Sequence, residues 1–67
     1  MSVFEAIKDY CDKTGNDYSD TGYVWKTIFN KSGVIYYVEM KTGNVYGVTK
    51  SGKQSKKRLG DIWNLKA

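Results

Sequence analysis

Five cations fall within nine residues at Lys50, Lys53, Lys56, Lys57 and Arg58, and no acid lies between Asn44 and Gly60. A run of this kind neutralises phosphates and releases their counterions. Five such contacts would give a salt slope of roughly −4 to −5 on duplex DNA. Tyr46 precedes the run and Trp63 follows it, and each ring suits stacking on exposed bases if it is not buried. Lys50 and Trp63 are read as flanking candidates. The same cations also suit an acidic protein or an anionic membrane surface, or simply keep a small sheet soluble by discouraging association at its edge.

Other chemistry has little material. The chain contains no histidine, so the usual general base near neutral pH is missing, and the expectation is a protein that is not an enzyme, with no catalytic residues. Cys11 sits at helical spacing from Ile7 and beside Tyr10, where a buried inert thiol is expected rather than a nucleophile. Asp9 and Asp12, or Asp17 and Asp20, bring oxygens together, but neither pair has the spacing of a calcium loop, and no metal is expected. Gly43, Gly47, Gly52 and Gly60 match no phosphate-cradling pattern. Turns explain them, and no cofactor is implied.

The 67 residues suffice for a single domain with a thin core, stable by no more than about 3–5 kcal/mol. A single cysteine makes no internal disulfide, and no structural zinc spacing is present. Stability must come from aromatic packing or oligomerisation, and six Tyr, two Trp and two Phe supply both routes. A homodimer is therefore one expectation. Residues 1–20 carry five acids against Lys8 and Lys13, a net −3, while the remainder carries +7. The polarity steers an anionic partner to one side. MSVFEAIKDY has neither the cationic start nor the apolar stretch of a signal peptide, and no apolar run approaches the ~20 residues that span a bilayer. A soluble cytoplasmic protein is expected.

The elements that must position these residues are an N-terminal helix and a β-meander, an α+β fold. Ser2-Val3-Phe4-Glu5 has the form of a capping box, Val3, Ile7, Tyr10 and Cys11 recur at helical spacing, and Gly15 supplies the stop. The spacing predicts a helix over 3–14, followed by a polar connection from Asn16 to Gly22. From Tyr23 to Lys50 the period becomes two. Tyr23–Phe29, Val34–Met40 and Val45–Thr49 read as three antiparallel strands joined by turns at Asn30–Gly33 and Lys41–Asn44.

Pairing Phe29 with Val34, Trp25 with Val38 and Val38 with Tyr46 gathers Tyr23, Trp25, Phe29, Val34, Tyr36, Val38, Met40, Tyr46 and Val48 on one face for the helix to cover. A register placing Trp25 opposite Glu39 is disfavoured, since it would bury a carboxylate on the core side. The opposite face, with Val24, Lys26, Ile28, Ile35, Tyr37, Glu39, Val45 and Thr49, is too apolar for water alone: either β propensity by itself favours Val, Ile and Tyr there, or the C-terminal segment or a second subunit covers it. Ile28, Ile35, Tyr37 and Val45 are its candidate self-association residues. Residues 51–58 read as a basic loop or arm. Residues 59–66 read as a short apolar segment, a brief helix or an edge strand, docking through Trp63. The unit around the Thr42-Gly43 turn is common to many small β proteins and implies no family.

The sequence thus supports a nonenzymatic binding module, with nucleic acid named first as partner. The rival is a small protein-interaction or regulatory factor that self-associates through the second sheet face and presents its charges to an acidic protein.

Overall fold

The N-terminal helix forms because its first and last turns are both capped by the chain's own side chains and backbone. In a computed structural model that describes residues 2–19 and 23–65, helix α1 spans Val3–Thr14. The Ser2 hydroxyl oxygen accepts the Glu5 amide at 3.1 Å, and the hydroxyl in turn donates to the Glu5 carboxylate. At the other end Gly15 adopts φ +73°, and the amides of Gly15 and Asn16 both donate to the Cys11 carbonyl. The buried stripe is Ala6, Ile7, Tyr10 and Cys11, with Val3 partly buried against the same core. Asp9 and Lys13 pair at 2.9 Å on the exposed side.

The sheet has five strands rather than three. β1 is Asp17–Tyr18, β2 Trp25–Asn30, β3 Gly33–Glu39, β4 Asn44–Val48 and β5 Gln54–Asp61, paired antiparallel in chain order. β1 arises from the segment expected as a plain connection. Tyr18 pairs with Ile28, packs against the core and meets Phe4 edge-on at 5.6 Å, and Ser19 next to it donates its amide to the Thr27 carbonyl at 3.0 Å and accepts the Thr27 amide on its hydroxyl at 3.1 Å. Asp20 and Gly22 lie outside the described residues. The α+β class and antiparallel meander stand, and the strand count is corrected.

The turn between β2 and β3 has the expected register, with Asn30 opposite Gly33 and Phe29 opposite Val34. The Asn30 carboxamide oxygen accepts the Ser32 amide at 2.8 Å. Directly afterwards the register shifts. Ile28 lies opposite Tyr36, so Ile35 is an extra residue in β3. Thr27 then faces Tyr37 and Trp25 faces Glu39, the disfavoured pairing. It buries no lone carboxylate, because Trp25 and Glu39 point away from α1, and Glu39 accepts the Thr42 hydroxyl at 2.6 Å.

Pairing Val38 with Tyr46 implies a three-residue turn, 41–43, with Gly43 left-handed, whereas the turn between the strands holds four residues, 40–43. Gly43 takes the expected left-handed conformation, φ +80°, and its amide donates to the Glu39 carbonyl at 2.7 Å. Val38 consequently faces Val45 rather than Tyr46, and Tyr37 faces Tyr46.

These two changes invert the core assignment on two strands. The core beneath α1 is Ile28, Val38, Val45 and Ile62, with Tyr36, Met40 and Leu65 packed at its margin. Trp25 and Tyr46 belong to the other face, and Tyr23, expected in the core, is almost fully exposed. Lys26 is drawn to the core side. Only 6% of it is exposed, and its ammonium donates to the Ser19 carbonyl at 3.2 Å and lies 5.2 Å from the Phe4 ring centre.

Residues 54–58, expected as a loop or arm, are strand. After Asp61 the chain turns, with Asn64 bonded to the Asp61 carboxylate, and Ile62 donates its amide to the Gly43 carbonyl at 2.9 Å. The buried anchor of this segment is Ile62. Trp63, expected in that role, is 48% exposed and lies across Gly43. Lys66 lies outside the described residues. No described helix is long and apolar enough to cross a membrane.

Candidate nucleic-acid interface

The five cations lie on one hairpin. Lys50 and Lys53 occupy the turn between β4 and β5, and Lys56, Lys57 and Arg58 lie along β5, the outer strand of the sheet. All five are exposed, and among the described residues none is paired with a carboxylate. The turn is held by its backbone. Thr49 donates its amide to the Lys53 carbonyl at 2.7 Å, Gly52 donates to the Thr49 carbonyl at 2.9 Å, and Gly52 takes φ +84°. The Thr49 hydroxyl oxygen also accepts the Lys53 amide.

β5 follows β4 irregularly: Val48 faces Gln54, Tyr46 faces Arg58 and Val45 faces Gly60, with two register shifts. The Ser55 hydroxyl accepts the Lys57 amide within the irregular stretch. Arg58 is fixed over the sheet, its Nε donating to the Asn44 carboxamide oxygen at 2.9 Å. Asp61 is the nearest acid along the strand. Its carboxyl is held below the usual range by the Asn64 side chain first, with Arg58 a small contributor.

Beside this hairpin the sheet face turned away from α1 carries Trp25, Tyr37 and Tyr46. Tyr37 and Tyr46 are direct cross-strand neighbours, and Trp25 meets Tyr46 edge-on across β3 with ring centres 5.6 Å apart. All three rings are partly exposed. The Tyr37 hydroxyl makes a long bond, 3.4 Å, to the Gly52 carbonyl, which ties the basic turn to this face. Sequence reasoning placed Trp25 and Tyr46 in the core and so missed the cluster. Only the bulge at Ile35 and the longer turn at 40–43 expose it.

Trp63 does not join this group. It sits against Gly43 at the end of β4 remote from Lys50 and Lys53, and with Ala6, Tyr10 and Lys13 it lines a cavity of about 220 Å³. The four residues expected to form a self-association face are likewise separated. Ile28 and Val45 are fully buried in the core and Ile35 packs against it, while Tyr37 lies on the opposite side. They form no common surface, because the bulge and the longer turn direct Ile28 and Val45 toward the helix.

Cys11 is buried, and burial first, then Asp17 and Asp12, pushes its thiol up to about 11. Asp9, the partner proposed for Asp12 in a cation site, is engaged by Lys13. Among the described residues no group of three or more His, Cys, Asp or Glu side chains is placed to hold a metal ion. No protein-family model, curated protein or solved structure matches the chain.

Proposed function

We propose that this protein is a nonenzymatic nucleic-acid-binding module that contacts phosphates through Lys50, Lys53, Lys56, Lys57 and Arg58. The observation that carries the reading is that all five cations lie exposed on one hairpin, none of them paired with a carboxylate among the described residues, along an outer strand where a polyanion can follow them. Order matters here. Cations held by strand pairing and by the Thr49–Lys53 turn lose less freedom on binding than a loose arm would.

Fluorescence anisotropy with labelled oligonucleotides at about 50 and about 200 mM salt tests it. The wild-type chain is expected to bind with a salt slope of roughly −4 to −5 on duplex DNA, and the joint Lys53, Lys56, Lys57 and Arg58 to Ala variant to lose that binding. Absence of binding by the wild-type chain at low salt rejects the reading.

A further inference from the structure

We infer that the preferred ligand is a single-stranded nucleic acid, its phosphates along β5 and its bases laid on the Trp25, Tyr37 and Tyr46 face. This rests on the phosphate-binding reading above and adds the class of strand. The first support is placement. α1 and the Ile62–Leu65 segment both pack on the Ile28, Val38 and Val45 side, and the described residues provide no element over the aromatic side. Each ring therefore has surface available to a planar partner.

The second support is charge beside those rings. Arg58 stands directly across from Tyr46 on the same face, and the Tyr37 bond to Gly52 brings the turn bearing Lys50 and Lys53 to its border. A backbone running along β5 sets its bases over β4 and β3, one and two strand spacings inward, about 4.8 and about 9.6 Å. A duplex keeps its bases stacked inside and offers these rings nothing. Nor does α1 suit a groove, since it carries Glu5, Asp9 and Asp12 against Lys8 and Lys13.

The register also sets acids on this face: Glu39 opposite Trp25 and bonded to the Thr42 hydroxyl, Asp17 opposite Phe29, and Asp61 opposite Asn44 at the far end of β5, so the stretch open to phosphates is the cationic one from Lys50 to Arg58. A second copy of the chain is a poorer occupant of this edge, because antiparallel β5 pairing would set Lys56, Lys57 and Arg58 against their own counterparts.

The test compares labelled oligo(dT) and oligo(U) of about 12 nucleotides, a length suited to small single-strand sites, with a duplex of equal length. Both single strands are expected to bind at least about tenfold more tightly than duplex, a preference for one of the two identifying DNA or RNA as the source. Tyr46→Leu should weaken single-strand binding about tenfold and leave duplex binding and its salt dependence unchanged, while Tyr46→Phe, which keeps the ring, retains it. Trp63→Phe leaves Trp25 as the only indole, and its emission should be quenched by single strand and not by duplex, a readout that stands even if Tyr46→Leu fails to fold. Equal affinity for single strand and duplex, with no quenching, overturns this inference and leaves phosphate binding intact. Absence of binding to every probe overturns both.

Discussion

Cys11 shows how completely one residue's chemistry is set by its neighbours. Its thiol, ordinarily near 9.0, is pushed up to about 11 by burial among Ile7, Tyr10 and the sheet, with Asp17 and Asp12 adding to the shift. Tyr10 is raised too, by burial first and then by Tyr36, whose ring meets it edge-on at 6.3 Å. In both cases the folded state holds a proton that the unfolded chain releases sooner. For Cys11 the stabilising contribution is thus complete below pH about 9 and is lost as the pH rises toward about 11, while for Tyr10 the loss begins only near 10.0. Urea denaturation at successive pH values should show stability falling across that window, less steeply in Cys11→Ala. A pH-independent midpoint between 9 and 11 would contradict the burial argument. At this scale the sequence is legible: the helical spacing of Ile7, Tyr10 and Cys11 already assigns the thiol to a core. What it does not disclose is Lys26, whose inward position follows from a register that its own neighbours do not specify.

Among the elements, α1 is the most readable, since its cap, stripe and stop are all local. The strands are read only in part, because Val, Ile, Tyr and Trp occupy both faces of residues 24–48 and period two alone cannot choose between them. Ile35 and the length of the 40–43 turn make the choice, and neither has a local signature. Of β5 only the last residues, from Leu59, are open to an edge-strand reading, and the rest is illegible for a different cause. Ser51–Arg58 is polar, and its strand conformation comes from pairing with β4 rather than from propensity.

The turn at Gly43 makes this scale testable. A Cβ added there would lie 2.5 Å from Trp63 Cζ3, on a backbone already at φ +80°. Gly43→Ala should therefore cost about 1–3 kcal/mol of strain, with the ring clash added to it. In a Trp63→Ala background the clash disappears and only the backbone part remains, so the two substitutions should couple when stability is measured as a double-mutant cycle. Strict additivity would mean that Trp63 moves aside at no cost.

For the molecule as a whole, charge and topology act together. The acidic start supplies all of α1, and the basic remainder places its densest cations on the outer strand farthest from β1 in the sheet order. With β1 only two residues long, β5 is the one extended edge among the described residues. Beside the polyanion binding proposed for them, its cations have an expected effect on self-association. Replacing Lys56, Lys57 and Arg58 by Thr should permit edge-to-edge pairing, seen as a concentration-dependent rise in mass by sedimentation or light scattering, whereas the wild-type edge resists it. A variant that stays monomeric to high concentration would show that geometry, not charge, guards the edge. The sequence disclosed this polarity in its totals. It did not disclose that the basic stretch is an ordered strand beside an aromatic face.

The chain-order pairing of the sheet also bears on how the molecule assembles. Every strand joins its immediate predecessor through a short connection, so the meander can close one hairpin at a time with little loss of chain entropy at each step. Helix docking is the exception. The stripe on α1 rests on side chains from β2, β3 and β4 and on Ile62, so α1 gains its complete seat only once the segment following β5 is in place. The rate of folding should accordingly be governed by that single long-range closure rather than by the hairpins. Amides at the outer margin of β5 would then exchange with solvent by local opening, long before those of β3 are released.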